Sequence, residues 1–198
     1  MKYTRTYRMG ARAEAAAATH RRILEATLRL SGTRPWEDVA LADVARAARV
    51  TVQTVLRRFG SKDGLAVAAT ELGLAEVRRA RWRAAPGDVD TALRDLAAHY
   101  EEWGARSLRF LAQEEGTPAM RRITHAGRAL HHAWVDHVFG PWLSRRRGLA
   151  RARLRAHLIA ATDVYAWKIW RRDLRQSTRA TAATLRGLVG AILNGKGG

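Results

Sequence analysis

Residues Leu41 to Phe59 read Leu-Ala-Asp-Val-Ala-Arg-Ala-Ala-Arg-Val-Thr-Val-Gln-Thr-Val-Leu-Arg-Arg-Phe, and the fold turns on this stretch. Leu41, Val44, Ala45 and Ala48 stand at i, i+3, i+4 and i+7, and Val52, Val55, Leu56 and Phe59 repeat the spacing closely enough to mark a second apolar stripe. Such stripes belong to short amphipathic helices. Arg49, Val50 and Thr51 are all that lies between them, so the connection is a tight turn, and Thr51 is placed to cap the second helix through its hydroxyl. Two helices joined in this way outline a helix-turn-helix. If Val52, Val55, Leu56 and Phe59 face inward, Gln53, Thr54, Arg57 and Arg58 face outward. Gln pairs with adenine, Arg with guanine, Thr with a thymine methyl, and all of them bind phosphate. A helical hairpin with a merely solvated polar face shows the same spacing.

The flanking residues separate these readings. After Phe59 comes Gly60-Ser61-Lys62-Asp63-Gly64-Leu65, where Gly60 ends one helix and Ser61 caps the next. Upstream, Thr19-His20-Arg21-Arg22-Ile23-Leu24-Glu25-Ala26-Thr27-Leu28 opens an earlier helix. Arg22-Ile23-Leu24, Asp43-Val44-Ala45, Ala48-Arg49-Val50-Thr51 and Phe59-Gly60-Ser61-Lys62-Asp63-Gly64-Leu65, in this order over about 50 residues, resemble the DNA-binding domain of the tetracycline-repressor (TetR) family of bacterial transcriptional regulators. The chain departs from that family at three places. Val39 and Ala40 stand where a threonine and a hydroxyl cap are usual, leaving Asp38 as the remaining candidate cap. Arg49 replaces a turn glycine. Leu56 replaces a tyrosine that commonly contacts phosphate, a contact that Arg57 or Arg58 would then supply.

Composition bounds the rest. A chain of 198 residues with 47% hydrophobic side chains is long and apolar enough for a packed core. It has no cysteine, which excludes disulfides, thiolate metal sites and cysteine nucleophiles. No apolar run approaches the roughly 20 residues that span a bilayer, and the basic, polar start is unlike a signal peptide, so a cytoplasmic location is expected. The formal charge of +18 favours an anionic partner such as nucleic acid. The basic excess is spread along the whole chain, however, and an Arg- and Ala-rich composition also follows from GC-rich coding.

Taken in order, Met1 to about Ala13 is expected to be an unstructured basic arm, and a first helix runs from about Ala15 to Leu30 with Ile23, Leu24, Thr27, Leu28 and Ser31 inward. Trp36 and Val39 anchor the loop before Leu41. A fourth helix is expected from Ser61 to about Arg83, with Leu65, Ala68, Leu72 and Ala75 inward; its first turn, with Lys62, suits a phosphate. Asp88 caps a helix to about Trp103, a short one spans Ala105 to Gln113, and Gly116-Thr117-Pro118 begins a long one. The last two are placed at about Ala150 to Arg171, with Leu154, Leu158, Ala161, Tyr165 and Ile169 on one face, and at Ser177 to Leu193. The expected fold is all-α with about nine helices: residues 1–64 form a three-helix helix-turn-helix domain, and residues 65–198 a helical effector-binding and dimerisation domain.

The second part is rich in aromatics. An apolar effector pocket there, with Trp103, Phe110, Trp134, Tyr165 and Trp167 as candidate lining and Arg or His as polar anchor, stands against ordinary core packing of the same side chains. His125, His131, His132 and His137 lack the i, i+3 or i+4 spacing of a metal site and have no carboxylate beside them other than Asp136, so no metal is expected, nor any cofactor. No phosphate loop, nucleophile elbow or paired carboxylates suggest an enzyme. The expected DNA-binding residues are Arg49, Thr51, Gln53, Thr54, Arg57, Arg58 and Lys62. The resemblance implies a homodimer through the last two helices, residues 150–193, binding a palindromic double-stranded operator and released by a small apolar or aromatic effector. The alternatives are a DNA-binding protein without an effector and a small helical enzyme.

Overall fold

The computed structural model describes residues 3–195, and among them it contains helices and no strand. The chain divides into two compact units, Met1–Gly73 and Leu74–Gly198.

The first unit is built from α1 (Tyr3–Ser31), a 3-10 turn at Trp36–Asp38, α2 (Leu41–Ala48), α3 (Val52–Phe59) and the first part of α4 (Lys62–Arg81). Its core is sealed by Ile23, Ala26, Val39, Val44, Val55 and Leu65, with Thr27, Trp36, Ala45 and Ala48 beside them. Full burial of each larger apolar side chain contributes about 1.5–3 kcal/mol, which holds helices of only eight residues that would not persist alone. Helix α1 begins at Tyr3, which corrects the expected unstructured arm from that residue on. Arg, Met and Ala are strong helix formers, and extending an existing helix needs no new nucleus. Met1 and Lys2 lie outside the described residues. On α4 the buried face is Leu65, Ala66, Ala69 and Val77, whereas Ala75 is exposed. In an alanine-rich helix several stripes have nearly the same apolarity, and packing chooses between them.

The second unit holds the end of α4, then α5 (Val89–Ala112), α6 (Pro118–Val138), the single turn α7 (Gly140–Leu143), α8 (Gly148–Ala161), α9 (Val164–Lys168) continued by a π-turn at Ile169–Asp173, and α10 (Thr178–Asn194). Setting α7 aside, nine α-helices are present among the described residues. Helix α5 packs against α6, α9 and α10, and α8 against α6 and α10, around Leu93, Leu96, Trp134, Val135, Phe139, Leu158, Leu185 and Val189. Asp88, Thr117 and Ser177 each cap the helix that follows by accepting a backbone N–H.

Two boundaries differ from the sequence pattern. Helix α5 runs through Gly104 without a break, because the missing Cβ makes room for the Trp167 ring: a Cβ there would lie 2.7 Å from Trp167 Cζ3. The expected helix from Ala150 to Arg171 is instead broken after Ala161. Thr162 turns its hydroxyl back onto the Leu158 carbonyl at 2.6 Å, and Asp163, with extended backbone, caps α9 by accepting the Tyr165 N–H at 2.9 Å. The break resets the helical register. Val164 and Trp167 turn inward, and Tyr165 and Ile169, expected on the inner face, are 52% and 49% exposed.

Candidate nucleic-acid interface

The α2–turn–α3 hairpin forms as its spacing requires. Helix α2 has Ala40 at its N-cap and no side-chain cap, and Asp38 sits in the 3-10 turn rather than at the N-cap. Arg49 closes α2 in the left-handed conformation, φ 55° and ψ 50°, donating its N–H to the Ala45 and Arg46 carbonyls. A glycine adopts this geometry freely, whereas an L-residue pays a steric cost of about 1–2 kcal/mol. The Thr51 hydroxyl accepts the Thr54 N–H at 3.1 Å and lies 2.9 Å from the Thr54 hydroxyl, so the start of α3 is capped and its two threonines share one hydrogen-bonded unit. Gly60 ends α3 with φ 74°, and Ser61 accepts the Gly64 N–H at 2.9 Å to open α4. Contacts across the unit hold the hairpin: Asp43 is paired with Arg34 and with Arg46, and the His20 and Phe59 rings lie 4.9 Å apart.

Along α3, Gln53 and Arg57 are exposed, and Thr51 and Arg49 are exposed at its approach. Thr54 is half-buried beside Thr51. Arg58 is half-buried as well, with its Nε shielded and without a hydrogen-bond partner. The expected inner face is corrected at one position: Val55 is sealed, but Leu56 is 39% exposed and lies on the side of Gln53 and Arg57. Eight residues wrap little more than two turns around the core, and Val52, Val55 and Phe59 already fill the contact. Lys62 has partners inside its own unit. Its Nζ donates to the Glu37 carbonyl at 2.9 Å and lies 5.2 Å from the Trp36 ring centroid, which ties the start of α4 to the loop before α2. The Lys at this helix start therefore has a structural reason that its sequence position did not reveal.

The five aromatic candidates of the second unit are not gathered at one cavity. Trp134 is fully buried in the core, Trp167 is buried against Gly104 and Tyr100, Trp103 and Phe110 are half-buried on α5, and Tyr165 faces out for the register reason given above. Trp167 lines a small apolar hollow with Tyr100, Trp170, Leu96 and Leu185. The residues that sequence reasoning missed are Arg81, His99 and Tyr100. Arg81 is buried at the end of α4 and contacts His131, and the Tyr100 hydroxyl donates to the Thr162 carbonyl at 2.8 Å. Burial, together with the charge of Arg81, holds His99 and His131 down to about 3, and burial pushes the Tyr100 phenol upward. His137 donates from Nε2 to the Ala84 carbonyl at 3.0 Å and stacks on Trp82. Among the described residues no group of three His, Cys, Asp or Glu side chains is placed to hold a metal ion, and no helix is long and apolar enough to cross a membrane.

Residues 23–69 match the family described as bacterial regulatory proteins, tetR family. The HTH-type transcriptional regulator AlkX of Mycobacterium tuberculosis is 47% identical over 55 residues, a match spanning 27% of this chain and 26% of that relative. Solved structures extend the likeness to nearly the whole chain. A TetR transcriptional regulator from Rhodococcus sp. RHA1 superposes with a TM-score of 0.55 at 20% identity, covering 91% of this chain and 97% of that one. The fatty acid degradation regulator FadR from Bacillus halodurans gives 0.57 at 13% identity, covering 89% and 95%. A proposed transcriptional regulator from Pseudomonas aeruginosa PAO1 gives 0.67 at 15% identity, covering 89% and 90%. At these identities the structural likeness concerns the fold.

Proposed function

We propose, for a chain whose residues 23–69 belong to the tetR family of bacterial regulatory proteins, that it is a cytoplasmic, DNA-binding transcriptional regulator without catalytic activity. It binds a palindromic operator as a homodimer, represses, and is released by a small-molecule effector. Residues 1–64 read DNA; residues 65–198 bind the effector and dimerise. The observation that carries the reading is the hairpin itself: α3, capped by Thr51 and closed by Gly60, presents Gln53 and Arg57 to solvent from a core that fixes its backbone. Arg49, Thr51, Thr54, Arg58 and Lys62 complete the contact set, with Lys62 and the first turn of α4 toward phosphate.

The dimer reading has its own support. Leu149, Tyr165, Ile169, Leu174 and Leu188, on α8 to α10 and the turns between them, are large apolar side chains left exposed in the single chain. A second copy covering them removes that surface from water. A dimer also supplies what one short helix lacks, since paired recognition helices about 34 Å apart read two half-sites. The effector acts by its differential affinity for a conformation that fits the operator and one that does not.

Selection of bound fragments from a random duplex pool tests specific DNA binding, two-fold symmetry and half-site spacing at once. The expected result is an enriched inverted repeat with half-site centres about one helical turn apart. Enrichment of no sequence, or of a site without two-fold symmetry, would contradict the reading.

A further inference from the structure

Arg81 ends α4 and is 3% exposed, yet among the described residues no carboxylate pairs with it. Its Nη2 donates to His131 Nδ1 at 3.1 Å, its guanidinium lies 4.3 Å from the Trp134 ring centroid, and its Nε is buried without any hydrogen-bond partner. Because the guanidinium only donates, His131 accepts at Nδ1 and carries its proton on Nε2, which faces the Ile159 carbonyl and the Thr162 hydroxyl at 3.3 Å each. His131 is thus neutral. His99, one helix away on α5, is held neutral by burial and by the same charge, and the buried Tyr100 phenol keeps its proton. His131 and Tyr100 beside Arg81 are thus uncharged at neutral pH, and among the described residues no carboxylate is paired with the buried guanidinium.

Folding does not explain such an arrangement. A buried charge without a partner is strongly unfavourable, and an unmade hydrogen bond at Nε adds to it. A carboxylate removes both defects, since its two oxygens match the guanidinium fork and replace the neutral histidine by a charge-assisted pair. A second group of aromatic and cationic side chains lies on α5, whose His99 feels the Arg81 charge. His99 stacks on Trp103 with centroids 6.4 Å apart, and the half-buried Arg106 lies 4.3 Å over Trp103, its own Nε also unpartnered. The carboxylates that offset Arg106 are Glu102 and Glu76, and neither acts on Arg81.

We propose that Arg81 anchors a site for an organic carboxylate in the second unit, the carboxylate on its guanidinium and the apolar body along Trp134 and Trp103. The proposal rests on reading that unit as effector-binding, and it gives the effector a chemical class: a monoanion with an apolar or aromatic body, not a cation. Ligand binding takes Arg81 away from His131.

The test uses the full chain and two matched pairs, benzoate with benzyl alcohol and octanoate with octan-1-ol, followed by calorimetry and tryptophan fluorescence. At least one carboxylate is expected to bind saturably, about tenfold or more tighter than its alcohol, as a charge-assisted pair requires. Arg81→Met should abolish the preference while the fold, checked by circular dichroism, persists. No saturable carboxylate binding, equal binding of acid and alcohol, or a folded Arg81→Met variant that binds as the parent does would each overturn the site. The acid–alcohol comparison decides the matter even where Arg81→Met fails to fold. The effector reading fails separately: carboxylate binding that leaves affinity for the selected DNA unchanged keeps the site and removes the regulatory role.

Discussion

Gly64 lies against the Phe59 carbonyl so closely that a Cβ at residue 64 would stand 2.2 Å from that oxygen. The Ser61 N–H already donates to this carbonyl at 2.8 Å, so the oxygen is fixed by the turn between α3 and α4. In an ordinary helix Gly→Ala stabilises by up to about 1 kcal/mol. Here Gly64→Ala is expected to destabilise by roughly 1–3 kcal/mol, the cost of forcing backbone apart. Urea unfolding measures it, and a gain in midpoint would refute the close approach.

Arg49 holds a left-handed conformation that its side chain disfavours. Arg49→Gly should therefore raise stability by about 1 kcal/mol in denaturant unfolding. The same change removes a cation from the proposed interface, so the salt dependence of DNA affinity should flatten by about one charge. Stability up and salt slope down is the expected pairing; a loss of stability sinks the first half independently of the second.

Lys62 and the α3 face should respond differently. Gln53→Ala or Arg57→Ala is expected to leave stability within about 0.5 kcal/mol, because both side chains are exposed, and to cost about 1–3 kcal/mol of specific DNA affinity. Lys62→Met removes the Glu37 contact and the Trp36 ring contact, and should lower stability by about 1 kcal/mol as well as weaken binding across sequences. Competition binding with selected and scrambled duplexes, beside thermal unfolding, separates the two classes.

His99 and His131 make the second unit acid-sensitive. Both are held at about 3 in the folded chain, first by burial and then by Arg81, against 6.5 for the free side chain. Below about pH 6.5 the unfolded chain binds protons that the folded chain refuses, so stability is full above that pH and falls as pH drops toward 3. Each histidine contributes a slope approaching about 1.4 kcal/mol per pH unit within the window. Unfolding midpoints between pH 7 and 5 should decline accordingly, and His99→Gln should remove about one proton from the slope. A flat profile in the parent chain would show that neither histidine is held neutral.

The readable parts of this chain are those set by neighbours in sequence. Thr51, Ser61 and Asp88 cap the helices that follow because a side-chain oxygen reaches an N–H three residues on, and Gly60 ends α3 because it alone there takes a positive φ freely. The inward stripe of α1 from Ile23 to Ser31 follows from the 3.6-residue period, and the hairpin from two such stripes with three residues between them. The exposed side of α3 was legible in Gln53 and Arg57, but Leu56 was misjudged, since apolarity does not say whether the core has room for one more side chain.

Packing between distant residues decided the rest. Gly104 lies inside a continuous helix because Trp167, 63 positions later, occupies the space of its missing Cβ. Tyr165 points outward because Thr162 and Asp163 satisfy the backbone where the helix breaks, a choice the apolar spacing does not record. Arg81 looks like one more arginine at a helix end until the fold places it beside His131 and over Trp134. Local hydrogen bonds and helical period act over a few residues and are written in order along the chain. Burial, register after a break and the company of a buried charge depend on which helices meet, and only the folded chain brings those residues together.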